Sequence, residues 1–188
     1  MTKKTKIITI SASLSLAVCI ILVIIFYERM KQSIKGTITG NYFSDKELYH
    51  SATAKKYNLD NTPTQEAWKN LYALRDNILN PAREKYGSCI YINCAYRCPA
   101  VNNKVGGAST SQHLTGHAAD ITTKTPKGNI ELFKILVELG NFDQLIWEGN
   151  GTWIHVSYDP TKQRGQMLKQ LSGNKYQNIN QNWQTAIA

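Results

Sequence analysis

From Ile7 to Tyr27 the chain carries no charged side chain. At about 1.5 Å per residue, a helix of that length spans the ~30 Å hydrocarbon core of a bilayer. The run ends in Phe26-Tyr27-Glu28-Arg29, without the small-residue pattern of a signal-peptide cleavage site. The pattern therefore predicts an uncleaved transmembrane anchor over 7–27, behind a short basic tail at 1–6. Lys3, Lys4 and Lys6 lie before the span, and Arg29, Lys31 and Lys35 after it. With the amino terminus added, the positive-inside bias slightly favours a cytoplasmic N-terminus and an extracytoplasmic remainder. Residues 28–40 are polar and aperiodic, contain Gly36 and Gly40, and read as a linker.

The pattern then becomes that of a folded domain, expected over 41–160. Thr62-Pro63-Thr64-Gln65 reads as a helix start, with Thr62 as N-cap, Pro63 in the first helical position and Gln65 completing a capping box. Trp68, Leu71, Leu74 and Ile78 follow at helical spacing. Pro81 is expected to bend or end that helix, and Gly87 closes the region. Cys89 to Cys94 reads as a strand, Tyr96-Arg97-Cys98-Pro99 as a loop. Ala118 to Thr123 ends in β-branched residues and favours a strand. Ile130 to Leu139 reads as a short helix stopped by Gly140. Leu145 to Glu148 and Thr152 to Tyr158 read as strands joined through Asn150-Gly151, a hairpin signal. From Asp159 the chain turns polar and rich in Gln and Asn. Residues 161–188 are expected to form a loose tail, with one short helix around Gln166 to Leu171.

Charge narrows the partners. The 188 residues carry a net charge of +9, with a pI near 9.4. That balance suits anionic surroundings: nucleic acid, anionic lipid or an acidic wall polymer. No basic run interleaved with aromatics occurs, so a nucleic-acid module is not expected. Much of the charge belongs to solvated faces.

Chemistry concentrates between Ser109 and Thr122. His113 and Asp120 lie seven positions apart, and His155 follows in the apolar run Trp153 to Ser157. Two nitrogens and one carboxylate oxygen suit zinc and leave a fourth tetrahedral position open. His113 and His117, four apart, would instead share a face if this stretch were helical. Gly116 and the β-branched residues that follow disfavour a helix there. Spacing alone leaves open a metal site and merely packed histidines. Cys89, Cys94 and Cys98 are an odd set in the domain. One disulfide, Cys94–Cys98, is compatible with an oxidising compartment. No C-x-x-C spacing occurs, so a cysteine-rich zinc site is not expected.

These residues occur together in a known pattern. Tyr42-Phe43-Ser44 with Glu47, Asp60 to Thr64, Tyr96-Arg97-x-Pro99-x-x-Asn102 and Val105-Gly106-Gly107 lead to the central Ser111-Gln112-His113-Leu114-Thr115-Gly116-x-Ala118-Ala119-Asp120-Ile121. Phe142 to Ile146 and Trp153 to Ser157 close it. Over roughly residues 41–160 the sequence resembles the zinc D-Ala-D-Ala carboxypeptidases of the hedgehog/DD-peptidase superfamily, especially small bacterial and phage-lysin domains. The resemblance implies an α+β fold, a small mostly antiparallel sheet packed by helices. It implies Zn²⁺ held by His113, Asp120 and His155, and hydrolysis of peptide bonds in peptidoglycan stems. Arg97 would hold a substrate carboxylate through its planar fork, and Ser111 would hydrogen-bond substrate. A monomer is expected. Cys98 stands where serine is more usual. Thr152 stands where many relatives carry an acid, whereas closer ones carry it at the end of the preceding strand, where this chain has Glu148.

Turn geometry bears on Glu148. A two-residue loop at Asn150-Gly151 pairs Glu148 with Trp153. His155 is then the diagonal neighbour of Glu148 on one face, within reach of long side chains. A three-residue loop would put them on opposite faces. On this reading Glu148 is the general base, with Asp143 as runner-up. The rival reading, a metal-binding but non-hydrolytic membrane-anchored module, leaves Glu148 without a purpose.

Overall fold

The computed structural model describes residues 20–25 and 40–188, with the exception of Asn174. Residues 20–25 are helical and exposed. The rest of the anchor expected over 7–27 lies outside the described residues. Among the described residues no helix is long and apolar enough to cross a membrane. Met1–Thr39 and Gly40–Ala188 are separate units, and the second is the folded domain.

Its first elements are the short helices α1 (Asp45–Tyr49) and α2 (Ala52–Tyr57). Ser44 and Glu47 form a capping box at the start of α1. A helical rod follows, built from α3 (Gln65–Leu74), a π-helical turn (Arg75–Leu79) and α4 (Asn80–Tyr86). Its spacing buries Leu71, Leu74 and Ile78, as the apolar period predicts. Two local expectations change. The N-cap is Thr64 rather than Thr62, its hydroxyl accepting from the Ala67 amide at 3.2 Å. The Thr62 amide instead donates to Asp60 at 2.8 Å, an Asx turn that keeps Pro63 outside the helix. Pro81 does not end the rod either. It has no N–H for the Asn77 carbonyl four residues back. That carbonyl accepts from Asn141 Nδ2 at 2.9 Å, and the π turn ends at Leu79, two residues before Pro81.

The sheet has six strands: β1 (Tyr91–Cys94), β2 (Ala118–Thr122), β3 (Gln144–Glu148), β4 (Trp153–Ser157), β5 (Gln166–Ser172) and β6 (Lys175–Asn178). Their spatial order is β1-β2-β4-β3-β5-β6. Every pairing is antiparallel except β3 with β5. Between strands lie α5 (Pro99–Lys104) and α6 (Pro126–Leu139), and α7 (Trp183–Ala186) ends the fold. The architecture is thus α+β, with a mostly antiparallel sheet and helices. The expected loop holds from Tyr96 to Cys98, and helix α5 starts at its end, with Cys98 as N-cap. Helix α6 starts at Pro126 rather than Ile130, because the Thr125 hydroxyl caps the Gly128 amide at 3.1 Å.

One face of the sheet makes the core. Ala119, Ile121, Leu145, Trp147, Ile154, Val156 and Met167 are buried there with Leu132, Phe133 and Leu136 of α6 and the apolar face of the rod. The residues expected as a loose tail belong to this core. Gln166 to Leu171 is strand, not helix, and Met167, Ile179 and Ile187 are buried. Hydrogen bonding to β3 supplies what local periodicity does not. Cys89, Cys94 and Cys98 are all free, so the Cys94–Cys98 disulfide does not form.

Candidate metal centre

Since side chains alternate along a strand, the face opposite the core carries the remaining positions. Asp120 on β2 is the register partner of His155 on β4, which is the partner of Ile146 on β3, which pairs with Leu168 on β5. These four share one face. One step along β3 and β4, Glu148 pairs with Trp153, and on the outer hairpin Gln170 pairs with Tyr176. All eight line a single open cleft.

His113 reaches that face from a 3₁₀ turn, Gln112–Thr115, just before β2. Gly116 ends the turn with φ +77, and a Cβ there would lie 2.4 Å from the Ala67 carbonyl oxygen of α3. The left-handed backbone and the close approach both call for glycine. The buried His113 ring sets its Nδ1 2.6 Å from the Ala95 carbonyl oxygen. A carbonyl only accepts, so Nδ1 donates to it, which leaves Nε2 as the ring atom aimed at the other two side chains.

Three donor atoms converge. His113 Nε2 lies 3.2 Å from His155 Nδ1 and 3.2 Å from Asp120 Oδ1, and His155 Nδ1 lies 3.0 Å from Asp120 Oδ1. Tetrahedral zinc with bonds of about 2.0–2.1 Å has ligand–ligand edges of about 3.3 Å. The triangle fits such an ion. Burial pushes the Asp120 carboxyl up, but the adjacent His113 and His155 rings outweigh it and hold the group well below the usual carboxylate range. It is therefore ionised, as ligation needs.

Sequence reasoning missed Cys94. It faces Asp120 across the β1–β2 ladder. Its sulfur and ligand atoms of His113 and Asp120 all lie within 4.8 Å of one another, a group able to hold a metal. Burial, then the Asp120 charge, pushes its thiol up to about 12. No motif marks this cysteine; only strand register brings it in.

Around the triangle stand the other expected residues. Arg97 NH2 lies 3.9 Å from Asp120 Oδ2, and its buried Nε has no hydrogen-bond partner. Buried Asn61, also missed, accepts from the Cys98 amide and donates to the Tyr96 carbonyl, fixing the backbone on both sides of Arg97. Ser111 precedes the 3₁₀ turn without capping it by side chain, and lines the cleft. Glu148 ends β3. Its carboxylate accepts from Trp153 Nε1 at 2.7 Å and from the Tyr176 hydroxyl at 3.3 Å. The register that places it beside His155 ends at the Glu148–Trp153 pair. The connection between them has three successive left-handed residues, Gly149 (φ 54), Asn150 (φ 54) and Gly151 (φ 86), closed by the Thr152 amide donating to the Gly149 carbonyl at 3.2 Å. Buried Asn129 of α6 donates to the Gly151 and Thr152 carbonyls and so holds that turn in place.

His117 pairs with the Thr115 hydroxyl at 2.8 Å and stays out of the triangle. Asp143 is not a free base. It is fully buried, with Arg164 Nε and NH2 at 2.7 and 2.6 Å and Gln112 Nε2 at 2.9 Å. Burial raises its carboxyl, but these bonds win and hold it below the ordinary range.

A comparison with curated proteins finds no match. The family model described as Peptidase M15 matches residues 41–157. The matched span runs from just before α1 to the end of β4 and contains the whole His113–Asp120–His155 triangle, Arg97 and Glu148. The family resemblance read from the motifs thus holds, and the chain belongs to the Peptidase M15 family.

Proposed function

We propose that this chain is a zinc-dependent peptidase that hydrolyses peptide bonds in peptidoglycan stem peptides, as a D-Ala-D-Ala carboxypeptidase or a related endopeptidase. The observation that carries this reading is the triangle of donor atoms, 3.0–3.2 Å on its edges, in one cleft with Glu148 and Arg97. His113, Asp120 and His155 hold the metal. Zinc bound there supplies Lewis-acid polarisation of the scissile carbonyl and a more acidic water.

The remaining work falls to side chains. Glu148 takes a proton from the attacking water and passes it to the leaving amine. Its two oxygens have about four lone-pair sites, so the bonds from Trp153 and Tyr176 leave room for that proton. Arg97 takes a substrate carboxylate, for which its partnerless buried Nε has an unused donor. Ser111 binds substrate through a hydroxyl that caps nothing. A net charge of +9 favours approach to an anionic wall polymer. Residues 7–27 anchor the chain in a membrane, with the domain on the extracytoplasmic side.

Mass spectrometry of defined stem peptides after incubation with the protein tests the activity. Loss of a terminal D-alanine, or scission within the stem, should stop with a chelator and return with zinc. Metal binding without any cleavage would instead select the non-hydrolytic module.

A further inference from the structure

The family match stops at residue 157, at the end of β4. The cleft does not stop there. Leu168, Gln170 and Tyr176, all beyond that limit, line it together with His155 and Glu148. Register explains why. β5 joins β3 in parallel, with Leu168 opposite Ile146, and β6 folds back so that Tyr176 lies opposite Gln170. Their side chains therefore project from the metal-centre face rather than into the core.

The hairpin is fastened where Glu148 ends its strand. Gln170 Oε1 accepts from the Gly149 amide at 3.0 Å, and Gln170 Nε2 donates to the Gly173 carbonyl at 2.9 Å. Tyr176 then delivers its hydroxyl to Glu148 Oε1 at 3.3 Å, while the Trp153 indole donates to Oε2 at 2.7 Å. The two carboxylate oxygens are thus held by separate donors, one inside the family-matched span and one outside it. Burial, then the charge of Glu148, raises the Tyr176 phenol above its ordinary range. It stays a neutral donor at neutral pH and does not compete for protons.

We propose that Tyr176 is a positioning residue for Glu148, and that the β5–β6 hairpin is a wall of the active cleft. A carboxylate held at one oxygen swings about its terminal bond. Held at both, it keeps one plane, and orientation of a base is worth rate rather than substrate affinity. This rests on the reading of Glu148 as general base.

A double-mutant cycle on the full chain tests it, with kcat, KM and zinc content measured for Tyr176→Phe, Glu148→Gln and the pair. Tyr176→Phe removes only the hydroxyl. It should lower kcat by about 10-fold, the scale of one lost hydrogen bond to a charged group, with KM and zinc unchanged. In the Glu148→Gln background the same change should have no further effect, because the group it orients is no longer a base. An unchanged kcat in Tyr176→Phe, or an equal loss in both backgrounds, overturns the proposal while leaving Glu148 as base. A near wild-type rate for Glu148→Gln alone removes the base, and this proposal with it.

Discussion

Asp120 and His155 are direct partners across the β2–β4 ladder, and their Oδ1 and Nδ1 atoms lie 3.0 Å apart although 35 positions separate them in the chain. A one-residue slip of this ladder would turn one of the two toward the core among Ile121, Ile154 and Val156. The apolar neighbours on each strand hold the register, because a slip would expose them. The arrangement of the candidate metal ligands is in this sense a by-product of how the core face is packed.

One zinc per domain is expected. His113→Ala should lose it, since a corner of the triangle goes. His117→Ala should keep it, because that ring bonds Thr115 instead. Cys94→Ser should also keep it, since His155 already completes the tight triangle. Elemental analysis of each purified variant decides; stoichiometric zinc in His113→Ala would overturn the ligand set.

Glu148→Gln keeps size and the bond from Trp153 while removing the base. Zinc content and thermal midpoint should stay at wild-type values. Turnover of a stem peptide should fall by about 100-fold or more, the scale of general-base loss.

Asp143→Asn should destabilise the fold without removing zinc. It loses charge-assisted bonds to Arg164 and Gln112, at a cost of about 2 kcal/mol at neutral pH. The sign follows from the depressed carboxyl. Such a group stabilises the folded state above its unfolded pKa and loses that contribution as pH falls through the folded value. Denaturation curves of variant and wild type should differ most at neutral pH and converge in acid. A gap that stays constant into acid would refute the assignment.

Truncation after residue 160 should give an unfolded or aggregated protein. It removes the buried Met167, Ile179 and Ile187. At about 1.5–3 kcal/mol for each such side chain, the loss rivals the whole stability of a domain. Circular dichroism and gel filtration would show it; a folded, active 1–160 chain would mean that the hairpin is dispensable.

Protease treatment of intact spheroplasts should remove the domain while leaving the anchor behind. A fully protected domain would reverse the orientation proposed from the flanking lysines and arginines.

Local spacing by itself determined a good deal. The apolar period of Leu71, Leu74 and Ile78 is a helix face wherever it is packed. Asn150-Gly151 supports left-handed conformations that suit a hairpin, and from that turn the pairing of Glu148 with Trp153 follows by counting. His113, Asp120 and His155 stood out because their residue types in that motif suit one kind of ion. Tertiary structure decided the rest, and for one reason: the missing information was held by partners distant in sequence. Thr62 and Thr64 are equivalent as caps until Asp60 claims the Thr62 amide. Gln166 to Ser172 looks like polar tail because Met167 is its one buried residue, and only pairing with β3 makes it a strand. Asp143 could pass for a free acid until Arg164 and Gln112 close on it. Cys94 reaches Asp120, and Tyr176 reaches Glu148, only across ladders whose register no single strand encodes.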